Sequence, residues 1–271
     1  MITRARTRSF SIRVRPALAA LLLGGCLGCA ATMPLPPELT RDPVVVKISS
    51  SRVIVLNKLR PFRIDPYRLM DLVTPWPGGQ ERRFSVGGSL GFAWEKAQLR
   101  GTFSFRLEKE GSEAALHGVV CEWRVEKTSG AFPGPGASSV SFRIPFPSFL
   151  VCEFTEAPDA EPWRLELWTG FPSNPFAPKF ESRGALFCAD VRYEADSTNV
   201  IESVGLRAQY MTGTLFTRDG QAVAAVERIL PGRILIQPSV SPAEQSLFVA
   251  VGAAIFVYDS FASPLYGLYG R

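Results

Sequence analysis

Gln98-Leu99-Arg100-Gly101-Thr102-Phe103-Ser104-Phe105-Arg106-Leu107-Glu108 decides the fold. Leu99, Gly101, Phe103, Phe105 and Leu107 alternate with polar residues without a break, and a period of two gives a β-strand one apolar and one wet face. The same reading predicts strands near 44–56, 83–86, 117–126, 139–145, 149–155, 163–169, 184–194, 206–217, 221–228 and 232–237. Asp219-Gly220 between two of them is a hairpin turn signal. Clusters such as Pro75-Trp76-Pro77-Gly78-Gly79, Phe132-Pro133-Gly134-Pro135-Gly136 and Phe171-Pro172-Ser173-Asn174-Pro175 punctuate the rest. Short strands broken this way predict a mainly β protein, its antiparallel sheets packed as a β-sandwich or curled into an open barrel.

One helix stands apart from this pattern. Ser241-Pro242-Ala243-Glu244 combines an N-cap serine, a proline in the first turn and a glutamate three residues after the cap. It leads into Leu247 to Tyr258, which is apolar all round and includes Val249, Val251, Ile255 and Phe256. At about 1.5 Å per residue that run is too short to span a bilayer. It predicts a C-terminal apolar helix buried against a sheet or between two sheets. Contact with a membrane or a partner is the alternative.

The chain has 271 residues, 46% of them hydrophobic, with 19 phenylalanines, enough to fill a sizeable core and too much for a disordered or collagen-like chain. Its formal charge of +5 comes from one end. Arg4, Arg6, Arg8, Arg13 and Arg15 lie in the first 25 residues, which hold no acid, and without them 25 basic face 25 acidic side chains. A neutral body without a basic patch lacks the electrostatic footprint of a nucleic-acid binder.

Residues 1–16 form a positive segment followed by the short apolar run Ala17 to Gly25, the pattern of a secretory signal peptide. It ends in Leu23-Gly24-Gly25-Cys26, which resembles the lipobox of bacterial lipoproteins. The resemblance implies cleavage before Cys26, a diacylglycerol on its sulfur and an N-acyl chain on the new terminus. It also implies a membrane partner, and Leu27 in place of aspartate favours the outer membrane. An ordinary signal peptide cut near Cys29-Ala30-Ala31 is the alternative. The expected organisation is a signal peptide (1–25), a lipidated, Pro-containing tether acting as a stiff spacer (26–43), a β-rich domain (44–240, with a division into two sub-sheets near 156–162 as one form), and a C-terminal helix and tail (241–271).

Cys121 shares parity with Val119 and Trp123, and Cys152 with Leu150 and Phe154, so both are expected to face inward. In an exported chain they are the preferred disulfide pair, with buried free thiols as the alternative. His117, the single histidine, falls on the parity of Val119 and Cys121 and reads as a half-buried strand residue. One histidine among scattered carboxylates predicts no metal site, and no cofactor motif is present.

Gly87-Gly88-Ser89-Leu90-Gly91 matches the G-x-S-x-G pattern of hydrolase nucleophile elbows. That chemistry needs a serine on a strand-to-helix turn, a histidine base and a carboxylate orienting the base. His117 is the single base available, and the strands around it read as antiparallel. A secreted serine hydrolase using Ser89 and His117 is therefore an alternative to the leading expectation, which is a lipid-anchored envelope protein with a non-catalytic binding, scaffolding or assembly role. Joint replacement of both residues separates the two. A third reading is glycan or peptidoglycan binding through Trp168, Phe171, Phe176 and Phe180, aromatics interleaved with prolines. An envelope protein or a glycan is the expected partner.

Overall fold

The computed structural model describes residues 32–49, 63–73, 82–87, 93–112, 115–133, 139–157, 159–170, 181–198, 200–201, 206–207, 212–228 and 232–266. After a 3-10 turn at Pro37–Leu39, the chain forms β1 (Val44–Ser49), β2 (Arg63–Asp65), β3 (Tyr67–Val73), β4 (Arg82–Gly87) and β5 (Ala93–Lys109). There follow β6 (Ala115–Pro133), β7 (Ser139–Thr155), β8 (Trp163–Gly170), β9 (Glu181–Cys188) and β10 (Val191–Thr198). The short β11 (Val200–Ile201) and β12 (Leu206–Arg207) pair only with each other. Then come β13 (Gly213–Arg218), β14 (Gln221–Glu227), β15 (Gly232–Ile236) and helix α1 (Pro242–Tyr266).

The main sheet runs β3-β2-β1-β15-β14-β13-β10-β9-β8-β7-β6-β5, every neighbour antiparallel, and β3 pairs again with β5. That last pairing, from Tyr67 opposite Lys109 to Val73 opposite Ser104, closes twelve strands into a barrel. The fold is mainly β with a C-terminal helix, and its sheet closes on itself rather than staying open or splitting into a sandwich. The reason is the length of β5, which takes β3 along its second half and β4 along its first. Nor does the sheet divide at 156–162: β7 and β8 are neighbours from Ser148–Thr169 to Phe154–Trp163.

Inside the barrel the alternation on β5 is as read, with Phe103, Phe105 and Leu107 buried, and Val119, Trp123, Leu150, Leu165, Leu186, Phe216 and Ile234 continue the lining. The lumen holds α1. Every residue from Leu247 to Val251 is fully buried, and burial continues to Tyr258. A helix buried on all faces needs a wall all round it, which a barrel supplies and a single sheet does not. Wall and helix approach closely: a Cβ on Gly232 would sit 2.2 Å from the Phe256 ring, and one on Gly252 would sit 2.3 Å from Ile234 Cδ1. Ser241 and Glu244 form the expected capping box, with the Ser241 N–H donating to Glu244 Oε2 at 3.2 Å and the Glu244 N–H to Ser241 Oγ at 3.3 Å.

On the outside, Arg100, Arg106, Glu122, Arg124, Arg164, Arg192 and Glu194 are exposed. An outer-membrane barrel has the opposite polarity, an apolar outside around a polar lumen. Among the described residues no helix is long and apolar enough to cross a membrane.

Several local readings change. The strand expected at 184–194 is two strands, β9 and β10, joined at Ala189-Asp190, where Ala189 adopts φ 47°. Of the strand expected at 206–217, residues 208–211 lie outside the described residues, and β12 and β13 belong to different sheets, while 139–145 and 149–155 are one strand, running through Pro145 and Pro147 with a register shift opposite Val125–Lys127. β3 has no counterpart in the sequence reading. The described part of the Pro-containing stretch, Thr32–Thr40, packs on the barrel: Met33 and Leu39 are buried with Ala225 and Leu235 on the outer face of β14 and β15. The Met33 N–H donates to Glu227 Oε1 at 2.9 Å, and Arg233 Nε donates to the other oxygen of the same carboxylate at 2.5 Å.

The two ends of the barrel differ. At the end holding the helix N-terminus, β2–β3, β9–β10 and β13–β14 turn back tightly. At the other end β5, β6 and β7 run on past the closed wall. β8 pairs with β7 only as far as Ser148, whereas β7 and β6 continue together to Ser139 opposite Pro133, and β4 flanks the first residues of β5. These four strands form an overhang that extends roughly 25 Å from Val125 to Pro133, at about 3.3 Å per residue.

Candidate functional site

One group of polar side chains inside the barrel lies where α1 begins. His117 lies on the inward face of β6, opposite Leu107, and is 1% exposed. Its Nε2 is 2.9 Å from Ser246 Oγ on the first turns of α1. The Ser246 hydroxyl spends its one proton on the Ala243 carbonyl oxygen, 2.7 Å away, so the imidazole donates from Nε2 and leaves Nδ1 as a bare acceptor. Nδ1 is buried without a hydrogen-bond partner. Burial lowers the imidazole pKa from 6.5 to about 4.

Beside it, Tyr193 on β10 donates its hydroxyl to Glu244, and the Arg218 guanidinium lies 5.7 Å from the centre of the Tyr193 ring and 3.8 Å from the Glu244 carboxylate. Burial, reinforced by the Glu244 carboxylate, pushes the Tyr193 phenol up to about 12. Burial also works to raise Glu244, but hydrogen bonds from Ser241 and Tyr193 outweigh it and hold the carboxyl below its ordinary value. His117 Nε2, Ser246, Tyr193 and Glu244 all take part in seating the helix, while His117 Nδ1 meets no partner. The serine–histidine contact runs in the wrong direction for nucleophile activation, because the histidine donates and no carboxylate meets Nδ1.

Ser89 lies outside the described residues. The elements before and after it in the chain, β4 and β5, are antiparallel neighbours rather than a strand and a helix. His117 sits opposite Leu107, at the far end of β5 from Ala93, which at about 3.3 Å per residue is roughly 45 Å away. Cys121 and Cys152 are register partners on β6 and β7, joined by a disulfide with Cα atoms 4.0 Å apart. Cys188 is a free cysteine. No group of three or more metal-ligating side chains occurs among the described residues.

Of the aromatic stretch, Phe171, Phe176 and Phe180 lie outside the described residues, as does Cys26. Trp168 is on the outer face of β8, 52% exposed, directly opposite Phe149 of β7, which is 38% exposed. Reading the sequence alone missed Ser246, Tyr193 and Phe149 as members of these clusters. For Tyr193 and Phe149 the only signal was strand parity, which assigns a face but not a partner.

No family model, curated protein or solved structure matches the chain.

Proposed function

We propose that the chain is a lipid-anchored bacterial envelope protein whose barrel acts as a non-catalytic binding or scaffolding unit. The observation that carries this reading is the filled lumen. In barrels that hold a small ligand the interior is left open, whereas here α1 occupies it, so the domain offers partners its outer surface and rims. The Cys121–Cys152 disulfide suits an exported, oxidising setting. Leu23-Gly24-Gly25-Cys26 supports a diacylglycerol and an N-acyl chain on Cys26, and Leu27 after it supports the outer membrane. Several acyl chains, each adding about 0.8 kcal/mol per buried CH₂, make such an anchor effectively permanent.

The test is metabolic labelling of the full chain with a palmitate analogue in a Gram-negative host, followed by membrane fractionation. The expected result is a labelled, outer-membrane chain and an unlabelled Cys26→Ser variant released into the soluble envelope fraction. Label that persists in Cys26→Ser, or none in the unaltered chain, overturns the anchor.

A further inference from the structure

We propose that Trp168 and Phe149, with the arginines on either side of them, form a platform on the outer wall of the barrel that binds an N-acetylated glycan of the peptidoglycan type. The inference rests on the reading of the chain as an exported binding unit and adds the site and the chemistry of its ligand.

Register builds the platform. Residues directly opposite each other in an antiparallel pair share a face, so Arg100, Arg124, Phe149, Trp168, Arg183 and Asp196 form one row across β5, β6, β7, β8, β9 and β10. The whole row is exposed, Trp168 at 52% and Phe149 at 38%. The two rings stand on adjacent strands with Cβ atoms about 5 Å apart, and each strand is paired on both sides. The Cys121–Cys152 disulfide also ties β7, which carries Phe149, to β6. Such a platform exists before any ligand arrives, so binding spends little free energy on ordering it.

Size and charge choose the occupant. A whole aromatic side chain presents about 150–250 Å², so the two rings at their observed exposures offer about 200 Å², against about 800 Å² per partner in a standard protein interface. The next row along the strands, Glu122, Val151 and Glu166, turns acidic and does not enlarge the apolar area. An apolar island of that size in a charged field suits the flat C–H face of a sugar ring, not the apolar centre of a protein interface. The charges around it are balanced. Arg124 donates to Glu126 Oε1 at 2.5 Å, Gln98 Nε2 donates to the same oxygen at 3.1 Å, and Arg183 lies 3.9 Å from Asp196. With Glu122 and Glu166 a row away, the face holds no surplus of positive charge for the phosphates of nucleic acid or lipopolysaccharide. It does hold guanidinium donors and carboxylate acceptors beside the rings. An acetamido sugar uses both, since its carbonyl oxygen accepts and its N–H donates.

The test measures retention of the full chain by purified peptidoglycan sacculi in detergent solution, for the unaltered protein and for Cys26→Ser, Trp168→Ala, Trp168→Phe, Phe149→Ala and Val120→Ala. Val120 is 59% exposed on the same face and outside the row, so it reports general stickiness. Retention should be equal in the unaltered chain and Cys26→Ser, roughly tenfold weaker in Trp168→Ala and several-fold weaker in Phe149→Ala. Trp168→Phe should restore most of it, and Val120→Ala should leave it unchanged. Soluble oligosaccharides of N-acetylglucosamine should displace the unaltered chain, and those of glucose should not. No retention of the unaltered chain, full retention of Trp168→Ala, or an equal loss in Val120→Ala overturns the proposal. Displacement by lipopolysaccharide, or by both oligosaccharides alike, overturns it as well, and this arm needs no variant to fold. Palmitate labelling of the same samples keeps the two readings distinct: labelled chains that sacculi do not retain count against the platform alone, and retained chains without label count against the anchor alone.

Discussion

His117 Nε2 donates a hydrogen bond to Ser246 Oγ across 2.9 Å, joining the barrel wall at β6 to the helix that fills the lumen. The two residues are 129 positions apart, and their contact forms only when β6 and α1 are both in place. With Tyr193 and Glu244 it makes the start of α1 one polar region of the interior, apart from the buried Ser148, Ser182 and Thr214.

The pH dependence of stability follows from the burial of that histidine. The His117 pKa is about 4 in the folded chain, against 6.5 for an unperturbed imidazole. Between those values the unfolded chain binds a proton that the folded chain does not, so stability is fully present above about pH 6.5 and falls as the pH drops, flattening below about 4. At 1.36 kcal/mol per unit the difference amounts to about 3 kcal/mol. Urea unfolding of the unaltered chain and of His117→Gln between pH 4 and 7 measures it. The gap between the two curves should shrink as the pH falls, and a constant gap would contradict the assignment.

Phe248 ties the helix to the wall through ring contacts with Tyr193 at 5.1 Å and Phe216 at 5.6 Å, and it is fully buried. Phe248→Ala should destabilise the fold by about 3–5 kcal/mol while leaving a single unfolding transition, since helix and barrel share one core. Separate helix and barrel transitions in calorimetry would show the helix to be a detachable plug.

The Cys121–Cys152 disulfide closes a segment with a sequence separation of 31. Chain-entropy reasoning assigns such a loop about 3–4 kcal/mol. The double variant Cys121→Ala, Cys152→Ala should lose stability of that order in urea, and reductant should leave the variant's midpoint unchanged while lowering that of the unaltered chain.

The strands and the helix start were legible because their signals are local. The alternation from Leu99 to Leu107 appears unaltered on the inward face of β5, and Ser241 with Glu244 forms the cap its spacing predicts. The hairpin at Asp219-Gly220 has both residues at positive φ, 51° and 78°, as that dipeptide favours. β3 was not legible because Tyr67 to Val73 is only partly buried and so carries weak alternation, with Asp71 at φ 51° interrupting it. The Ala189-Asp190 turn lacks the glycine or asparagine that would have announced it.

The amino-acid sequence by itself determined the strand faces, the helix cap and the apolar character of Leu247 to Tyr258, because each depends on residues within a few positions of one another. Tertiary structure decided where those elements went. Whether the sheet stays open or closes turns on β3 meeting β5 across residues 67–109, and whether the helix lies on a sheet or within it turns on that closure. Local periodicity sets which side of a strand is apolar. Pairing between distant segments sets what that side meets.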